Sequence, residues 1–522
     1  MAQIYYPIGI QTFSSIREGE YLYVDKTPYI MRMLSDRLKY VFLSRPRRFG
    51  KSLFLSTLAD FFAGRRELFD GLAISHMDYD WREHPVLHMD FTGCNYSEPD
   101  GLFHSLDDQF IQWEKRYAIE KTDLPLSDRF RNIIRQAYEQ SGMPVVILID
   151  EYDKPLLETV SNPDLQQKLR DTLRSIYGNL KRMDPYIRFA MLTGVTKFGH
   201  LSIFSDLNNL YDISFDEHYE AICGITGKEI HTYLLQGVRN LAQYSHLSEE
   251  KAFESLKLNY DGYRFSPFGN QDIYNPFSLL CALSKGIVSN YWFQTGTPTF
   301  LIKMIKDGNL PITRLDDMRT SVSDLSDVSF DLRNCIPVLY QSGYLTIKDY
   351  DREFDEITLG FPNKEVTAGF LNQLLPFYAS ISPYNTAFEV TKFVMDVREG
   401  RAEEFMIRLQ SLFADFQYDS FDLGHLEQHY QDVIFIIFKL MGFYTRTEYR
   451  TAAGRIDMVV KTQDYIYVME FKIDRSAEEA LAQIDSKDYL IPFRADGRKL
   501  IKIGANFDSA SRNIASWIIQ MD

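Results

Sequence analysis

Short apolar runs alternate with longer stretches of helical periodicity over the first 225 residues. Residues 41–43 are apolar, and a turn after them leads into residues 51–63, whose apolar positions recur every three or four residues. This pattern predicts a strand, a loop and a helix. Strands that alternate with helices form a three-layer α/β sandwich, in which ligands bind at the carboxyl ends of the parallel strands. Further strands are predicted at 85–91, 145–149, 187–194 and 210–214.

The pattern changes twice after this region. From about residue 226 to residue 400 the apolar positions keep helical spacing and aromatic residues are frequent, which predicts a helical middle region. The rest of the chain predicts a smaller α/β domain of order αβββαβ. Its elements are a helix at 426–441, strands at 443–449, 454–461 and 465–473, a helix at 477–486, a strand at 500–504 and a last helix. We therefore expect three domains, at 1–225, 226–400 and 401–522.

Length and composition agree with this organisation. The chain has 522 residues, of which 45% are hydrophobic and 25% are charged, and these proportions are typical of globular proteins. Its apolar runs are too short to span a membrane, and the N-terminus lacks the basic start and apolar run of a signal peptide. We therefore expect a cytoplasmic protein without a membrane partner. The four cysteines are widely scattered, which predicts reduced thiols rather than disulfides or a zinc site.

The loop after the first strand has the chemistry of a phosphate-binding site. Gly50, Lys51 and Ser52 lie where the strand turns into a helix, so backbone N–H groups and the helix N-terminus converge on a point that attracts phosphate oxygens. Lys51 would reach the β- and γ-phosphates of a nucleotide, and the Ser52 hydroxyl would hold Mg²⁺. Arg45 replaces the first glycine of the general pattern. Because Gly-Lys-Ser alone occurs often by chance, a second motif is needed to identify this loop as a nucleotide-binding site.

The second signal is the acidic end of the strand at 145–149. Asp150 can bind Mg²⁺ directly or through water, and Glu151 can polarise a water for attack on the γ-phosphate. At the tip of the strand at 187–194, Thr193 is the candidate for a contact with the γ-phosphate. The simpler alternatives are a buried strand with a solvated acidic turn, and an ordinary strand end at Thr193. The order and spacing of the elements favour a P-loop NTPase fold.

Longer motifs make a resemblance specific. The chain resembles a large bacterial family of AAA-ATPase-like proteins at 45–52, 150–155, 194–198, 202–210, 260–265 and 274–278. In that family an arginine-rich loop is the usual form, so Arg45 departs only from the general phosphate-loop pattern. The resemblance implies ATP binding with hydrolysis presumed, a helical lid with a winged-helix-like arrangement in the middle region, and a nuclease-like C-terminal domain.

The same resemblance implies a set of nucleotide-site residues. Ser52 and Asp150 would hold Mg²⁺, and Glu151 would be the catalytic residue that activates water. The implied ATP-binding residues are Arg48, Phe49, Gly50, Lys51, Ser52, Leu53, Asp150 and Thr193.

Two predicted strands of the C-terminal domain carry a second set of polar residues. Glu470 and Lys472 share one face of a strand, and hairpin pairing can bring Asp457 beside them. Carboxylates supply the hard oxygen ligands that Mg²⁺ prefers, and a lysine can orient water or stabilise charge developing on phosphate. This layout resembles the restriction-endonuclease-like PD-(D/E)XK nuclease fold, and the resemblance implies Asp457, Glu470 and Lys472 as the metal-binding and catalytic set. Glu427 matches an additional metal-binding acid of that fold, and Gln483 matches a frequent extra polar residue.

Three hypotheses about function are open at this stage. The first is an ATPase that regulates a Mg²⁺-dependent nuclease, with Mn²⁺ as an alternative metal and DNA as the expected substrate. The second is a nucleotide-switched module that binds nucleic acid or protein without cleavage, and the third is a catalytically silent scaffold. The net charge of −15 argues against nonspecific coating of nucleic acid and confines a contact to a local basic groove. A homo-oligomer is common for such ATPases, but no residue fixes the number of subunits.

Overall fold

The computed structural model describes most of the chain as two compact units. The described residues are 4–120, 123–197, 209–295, 301–302, 304–305, 310–326, 335–379, 386–414, 426–442, 446–452, 455–487 and 489–521. At 294–295, 387, 426–429, 446–452 and 455–457 only the backbone is described. One unit comprises residues 1–309 and 317–365, and the other comprises 310–316 and 366–522. The domain boundaries expected at residues 225 and 400 remain predictions.

A parallel sheet forms the centre of the first unit. Its strands are β1 (Tyr40–Ser44), β2 (Val86–Asp90), β3 (Val145–Asp150), β4 (Ile187–Gly194) and β5 (Tyr211–Asp212). They lie in the order β2-β3-β4-β1-β5, and every pair is parallel. The structure thus confirms the strands predicted for this region. Because Ser44 pairs with Gly194 and Asp90 with Asp150, the carboxyl ends of four strands lie at one edge of the sheet.

Burial explains why the central strands are continuous apolar runs. Every residue of β1 and β3 is buried. Since successive side chains point to opposite faces of a strand, both faces of the sheet are covered there, as is typical of parallel sheets between helices. The edge strand β2 instead alternates between half-buried and buried residues and ends at the exposed Asp90. The α/β fold class with a P-loop-like sheet is therefore confirmed.

The helices around this sheet bury one face. In Leu126–Ser141 the buried Phe130, Ile133, Ile134 and Ala137 recur every three or four residues, which is the spacing of a helix with one face on a core.

None of the described helices combines the length and the apolar character that a membrane crossing requires. The other α-helices of the first unit are Phe13–Glu18, Thr27–Ser35, Lys51–Phe62, Gly101–Arg116, Lys154–Glu158, Pro163–Arg182, Gly227–Glu229, Leu235–Tyr244, Glu249–Tyr260, Pro276–Lys285, Val322–Ser326 and Ile336–Gln341.

The middle region contains strands as well as the predicted helices. β6 (Ile225–Thr226) pairs with β7 (Ile273–Tyr274), and β8 (Met318–Ser321), β9 (Thr346–Asp351) and β10 (Glu356–Gly360) form an antiparallel sheet of order β8-β10-β9. Helical periodicity does not detect a hairpin of two short strands around a polar turn, such as β9 and β10. The helix Ile336–Gln341 precedes this hairpin, and the winged-helix-like arrangement that the family resemblance implied remains a prediction.

The second unit has its own five-stranded sheet. Its strands are β11 (Arg446–Ala452), β12 (Arg455–Lys461), β13 (Tyr465–Ile473), β14 (Lys499–Asp508) and β15 (Asn513–Met521), which are neighbours in chain order. β13 and β14 pair in parallel, and the other pairs are antiparallel. The helix Ala477–Ser486 joins the parallel pair, and helix Leu426–Met441 precedes the sheet, so the αβββαβ order is confirmed. The unit's other helices are Thr386–Arg398 and Ala402–Ala414, with Lys364–Tyr378 beginning at the boundary of the units.

The prediction of a helix as the last element is wrong. Residues 513–521 form β15, which pairs with β14 in antiparallel fashion. Ile514, Trp517, Ile518 and Ile519 are β-branched or aromatic residues of the kind that favours strands. Pairing also satisfies the backbone groups that β14 would otherwise expose at the sheet edge, which is a tertiary effect that local periodicity does not report.

Candidate functional site

The phosphate loop, residues 45–52, connects β1 to the helix Lys51–Phe62. Gly50 caps this helix with φ of 97°, a left-handed conformation that glycine adopts without steric cost. The Lys51 side chain is buried, and its Nζ donates hydrogen bonds to the carbonyl oxygens of Arg45 at 2.9 Å and of Pro46 at 3.2 Å. The ammonium group therefore lies inside the curve of the loop, where phosphate oxygens can replace the carbonyl oxygens as its partners.

Arg45 explains how the loop closes without its first glycine. Its guanidinium is buried and donates hydrogen bonds to the carbonyl oxygens of Ser44, Ser214 and Tyr219. It also lies over the ring of Phe265, with 4.3 Å between Cζ and the ring centroid. Burial lowers the pKa of Arg45 from its ordinary value. The side chain fixes neighbouring backbone segments, so its role in the first unit is structural.

A cavity of about 460 Å³ lies beside the phosphate loop, a volume within the range of small-molecule sites. Thr92 after β2 and Lys154 and Glu158 after β3 also line it. Asp150, Thr193 and Phe49 are not part of its lining. The predicted residues that line it are Arg48, Gly50, Lys51, Ser52, Leu53 and Glu151.

Phe49 takes part in packing through its side chain. The ring is buried, with its centroid 4.8 Å from that of Tyr263 and 5.4 Å from that of Phe265, in edge-on contacts. Its backbone carbonyl accepts a hydrogen bond from the Gly224 N–H at 3.0 Å. The role of Phe49 in nucleotide binding remains a prediction. Since the ring is packed in the core, the backbone N–H is the group that would contact the nucleotide.

Asp150 and Thr193 are joined by a hydrogen bond between their side chains. The Thr193 hydroxyl donates a hydrogen bond of 2.7 Å to Oδ1 of Asp150, and the Glu151 N–H donates another of 3.0 Å to the same oxygen. Both Asp150 and Thr193 are buried. This arrangement fixes the carboxylate, and the predicted contact of Thr193 with a γ-phosphate remains a prediction.

Glu151 adopts a backbone conformation that is rare for residues other than glycine. Its φ is 54°, and left-handed conformations of such residues are frequent where a site imposes local strain. Glu151 lines the cavity, so the turn directs this acid toward the place where a nucleotide phosphate would lie.

Asp153 links two segments next to the candidate site, a role that the sequence pattern did not predict. It is buried and accepts hydrogen bonds from the Val195 N–H at 3.0 Å and from the N–H and hydroxyl of Thr196 at 2.6 and 2.8 Å. Burial raises the pKa of Asp153 to about 6. A Cβ on Gly194 would lie 2.5 Å from Oδ1 of Asp153, so glycine is required at the end of β4. These contacts tie the acidic turn after β3 to the segment after β4.

A second, smaller cavity adjoins the first and is largely apolar. It has a volume of about 80 Å³ and shares Pro7, Gly50, Leu53, Pro276 and Leu280 with the larger cavity. The remaining lining is mostly apolar and includes Leu22, Val24, Phe54, Ile222 and Ile225. An apolar compartment next to a phosphate-binding loop suits a nucleotide base. No sequence pattern predicted which residues of the N-terminal segment would line this cavity.

Trp292 connects the phosphate loop to a buried acid of the middle region. Its indole Nε1 donates a hydrogen bond of 3.2 Å to the carbonyl oxygen of Arg47. Oε1 of the buried Glu365 accepts hydrogen bonds from the N–H groups of Tyr291 at 2.5 Å and Trp292 at 2.8 Å, and from the Ser278 hydroxyl at 3.1 Å. Burial raises the pKa of Glu365 to about 7. Glu365 therefore supports the segment that holds the loop.

This buried acid predicts a pH dependence of stability. The folded state binds the Glu365 proton more tightly than the unfolded state does, because the pKa rises from 4.5 to about 7. Its stabilising contribution is therefore complete below pH 4.5 and is lost as the pH rises to 7, which amounts to at most about 3 kcal/mol. We expect Glu365→Gln to gain thermal stability relative to wild type between pH 5 and pH 8. A difference in unfolding temperature that does not change with pH would contradict this assignment.

The second candidate site lies on the sheet of the second unit. The backbone register pairs Asp457 of β12 with Glu470 of β13, so the two predicted acids stand directly opposite each other. Lys472 is 7% exposed, and its Nζ donates hydrogen bonds to Oε1 of Glu470 at 2.9 Å and to Oε1 of Gln483 at 2.5 Å. Glu470 is fully buried. The structure thus brings Glu470, Lys472 and Gln483 together.

Close packing of the helix Ala477–Ser486 positions Gln483. Ser476 caps the N-terminus of the helix, and its hydroxyl accepts a hydrogen bond from the Glu479 N–H at 3.1 Å. Gly504 of β14 pairs with Glu470, and a Cβ on Gly504 would lie 2.5 Å from the carbonyl oxygen of Ala477. The missing side chain lets the helix approach the sheet beside Glu470.

Two of the predicted metal ligands cannot be placed. The side chains of Asp457 and Glu427 lie outside the described part of the structure, so the full ligand set remains a prediction. Among the residues whose side chains are described, no group of three or more histidines, cysteines, aspartates or glutamates has the geometry of a metal site. The buried carboxylate of Glu470 next to an ammonium group is chemically suited to a hard divalent cation.

Comparisons with known proteins find family matches in two parts of the chain. The model of the family described as "Predicted AAA-ATPase" matches residues 7–204, and the model of the PD-(D/E)XK nuclease superfamily matches residues 425–517. The chain is also similar over its whole length to the "Uncharacterized protein in vnfD 5'region" of Azotobacter chroococcum mcd 1. The two are 36% identical over 532 residues, and the alignment covers 98% of each chain.

Proposed function

Because the chain belongs to the family of predicted AAA-ATPases and carries a C-terminal domain of the PD-(D/E)XK nuclease superfamily, we propose that it is an ATPase that regulates a metal-dependent deoxyribonuclease. The family matches support an ATPase-like domain and, C-terminal to it, a nuclease-like domain. To this architecture we add the hydrolysis of ATP, the cleavage of DNA and the coupling of the two reactions.

In the first unit, the cavity beside the phosphate loop would take the triphosphate. Lys51 would exchange its bonds with loop carbonyl oxygens for bonds to the β- and γ-phosphates, and the N-terminus of its helix would attract the same anion. Ser52 and Asp150 would hold Mg²⁺, which neutralises phosphate charge when it is bound. Glu151, directed into the cavity by its turn, would orient and deprotonate the attacking water.

In the second unit, Asp457 and Glu470 would hold the cation beside the phosphodiester. Such a cation polarises the phosphate and lowers the pKa of a bound water. Lys472 would stabilise the negative charge that develops on the phosphate, and Gln483 would keep the ammonium group in place through its 2.5 Å hydrogen bond. Glu427 would be an additional ligand.

The observation that carries the proposal is the contact between Lys472 and Glu470 directly across from Asp457. Burying a lysine and a glutamate is costly unless they are paired, and a solvated hairpin would not need to bury them. A buried Glu-x-Lys pair, on a strand whose backbone pairs Glu470 with Asp457, supports a catalytic role.

The test is cleavage of single- and double-stranded DNA and RNA in Mg²⁺ or Mn²⁺, with and without ATP. We expect the wild type to cleave DNA and Asp457→Ala to lose the activity. Cleavage that persists in Asp457→Ala would locate the activity elsewhere. A wild type without cleavage under every condition would favour a nucleotide-switched module that binds nucleic acid or protein.

A further inference from the structure

Two arginines of the phosphate loop line the cavity together with Lys51. Arg47 and Arg48 are both exposed, and both border the 460 Å³ cavity. Among the ion pairs of the described residues, none involves either arginine. Arg47, Arg48, Lys51 and Lys154 outnumber the two carboxylates of the lining, Glu151 and Glu158. The net positive charge of the cavity favours an anionic ligand.

The two arginines differ in what holds them. Arg48 has φ of 66°, and its Cζ lies 4.9 Å from the centroid of the Phe277 ring. Phe277 belongs to the helix Pro276–Lys285, two residues of which also line the apolar cavity. Arg48 is therefore stacked on a helix that borders both cavities.

Arg47 is fixed through its backbone instead. Its carbonyl oxygen accepts the hydrogen bond from the Trp292 indole, whereas no hydrogen bond or aromatic stacking engages its guanidinium among the described residues. Burial raises the pKa of the Tyr344 phenol, and the charge of Arg47 lowers it by less, so this phenol is neutral at physiological pH and supplies no counter-charge. The backbone is anchored while the cation is free to turn toward a ligand.

Phosphoryl transfer needs positive charge at the transferring group. Water forms a bond to the γ-phosphorus, the bond between that phosphorus and the bridging β–γ oxygen breaks, and ADP leaves with the electron pair. The proton of the water passes to Glu151 and then to solvent, so the products are ADP and inorganic phosphate. Negative charge is spread over the transferring phosphoryl group and the leaving oxygen, and an arginine placed there accelerates the reaction.

We propose that Arg47 is a catalytic residue supplied by the phosphate loop itself, and that its guanidinium neutralises the γ-phosphate in the same chain that binds the nucleotide. This inference rests on the proposed ATPase function. It makes an arginine from a second subunit unnecessary for turnover. Arg48, held over Phe277, contributes to nucleotide affinity instead.

The first test compares turnover with binding in the full-length protein. Arg47→Ala is expected to lower kcat by about a hundredfold or more. The affinity for a fluorescent ATP analogue should change less than about fivefold, because the arginine acts mainly in the transition state. Arg47→Lys, which keeps the charge, is expected to recover part of the rate. The exposed Arg135 on helix Leu126–Ser141 provides the control, and Arg135→Ala should match wild type.

The second test separates action within a chain from action between chains. Arg47→Ala keeps Lys51, and Lys51→Ala keeps Arg47, so a mixture of the two would regain turnover only if the arginine acted on a neighbour's nucleotide. We expect no recovery at any mixing ratio. Recovery would overturn the proposal, and so would an unchanged kcat in Arg47→Ala or an equal loss of binding and turnover.

The outcomes also separate this inference from the proposed ATPase function. A wild-type protein that does not hydrolyse ATP overturns both. A wild-type protein that hydrolyses ATP through Lys51 but does not depend on Arg47 overturns only the role of the arginine.

Discussion

Lys51→Ala is expected to lower the kcat of ATP hydrolysis by about a hundredfold or more, because it removes a preorganised cation from the transferring phosphates. The Nζ atom already lies inside the phosphate loop, bonded to the carbonyl oxygens of Arg45 and Pro46. Its place is thus set before a nucleotide arrives, and little reorganisation is needed when phosphate oxygens take over. The release of inorganic phosphate in steady state measures the effect.

The exposed Lys168 of helix Pro163–Arg182 provides the control for Lys51. Lys168→Ala changes the same residue type away from the cavity and should hydrolyse ATP at the wild-type rate. Turnover that survives in Lys51→Ala would show that the nucleotide does not bind at this loop.

Glu470→Gln is expected to abolish nucleic-acid cleavage while ATP hydrolysis stays within about twofold of wild type, because the substitution removes a metal-binding charge and nearly conserves volume. The amide oxygen can still accept the hydrogen bond from Lys472. Lys472→Met removes the ammonium group instead and should have the same effect on cleavage. A nuclease assay and a phosphate-release assay on one preparation measure both activities.

Lys499→Ala is the matched control in the same unit, since Lys499 is an exposed residue at the start of β14. It should keep both activities. If Glu470→Gln cleaves as well as wild type, the carboxylate is not part of a nuclease site. If Glu470→Gln and Lys472→Met lose ATP hydrolysis together with cleavage, the expected independence of the two chemistries is wrong.

The sheet of the first unit could be predicted because its strands are buried on both faces. In the sequence such strands are continuous apolar runs, here at 41–43 and 145–149. The polar residues Asp150 and Glu151 follow the second run directly. The pairing of Asp457 with Glu470 could likewise be predicted from the sequence, since the two-residue period of strands and a hairpin place these acids opposite each other.

Other features depend on tertiary contacts that local patterns do not carry. Arg45 was visible as a departure from the general loop, but its burial against the carbonyl oxygens of Ser214 and Tyr219 involves residues far along the chain. The same holds for Asp153, which binds the segment after β4, and for Glu365, which supports Trp292. The last strand was missed because its stability comes from pairing with β14.

The most direct test of the central claim, that one chain joins an ATPase to a nuclease it regulates, is DNA cleavage in Mg²⁺ with and without ATP by wild type and Lys51→Ala. We predict that ATP changes the cleavage rate of the wild type and that Lys51→Ala cleaves without responding to ATP. A wild type that never cleaves, or a cleavage rate that ATP leaves unchanged in both proteins, would contradict the account.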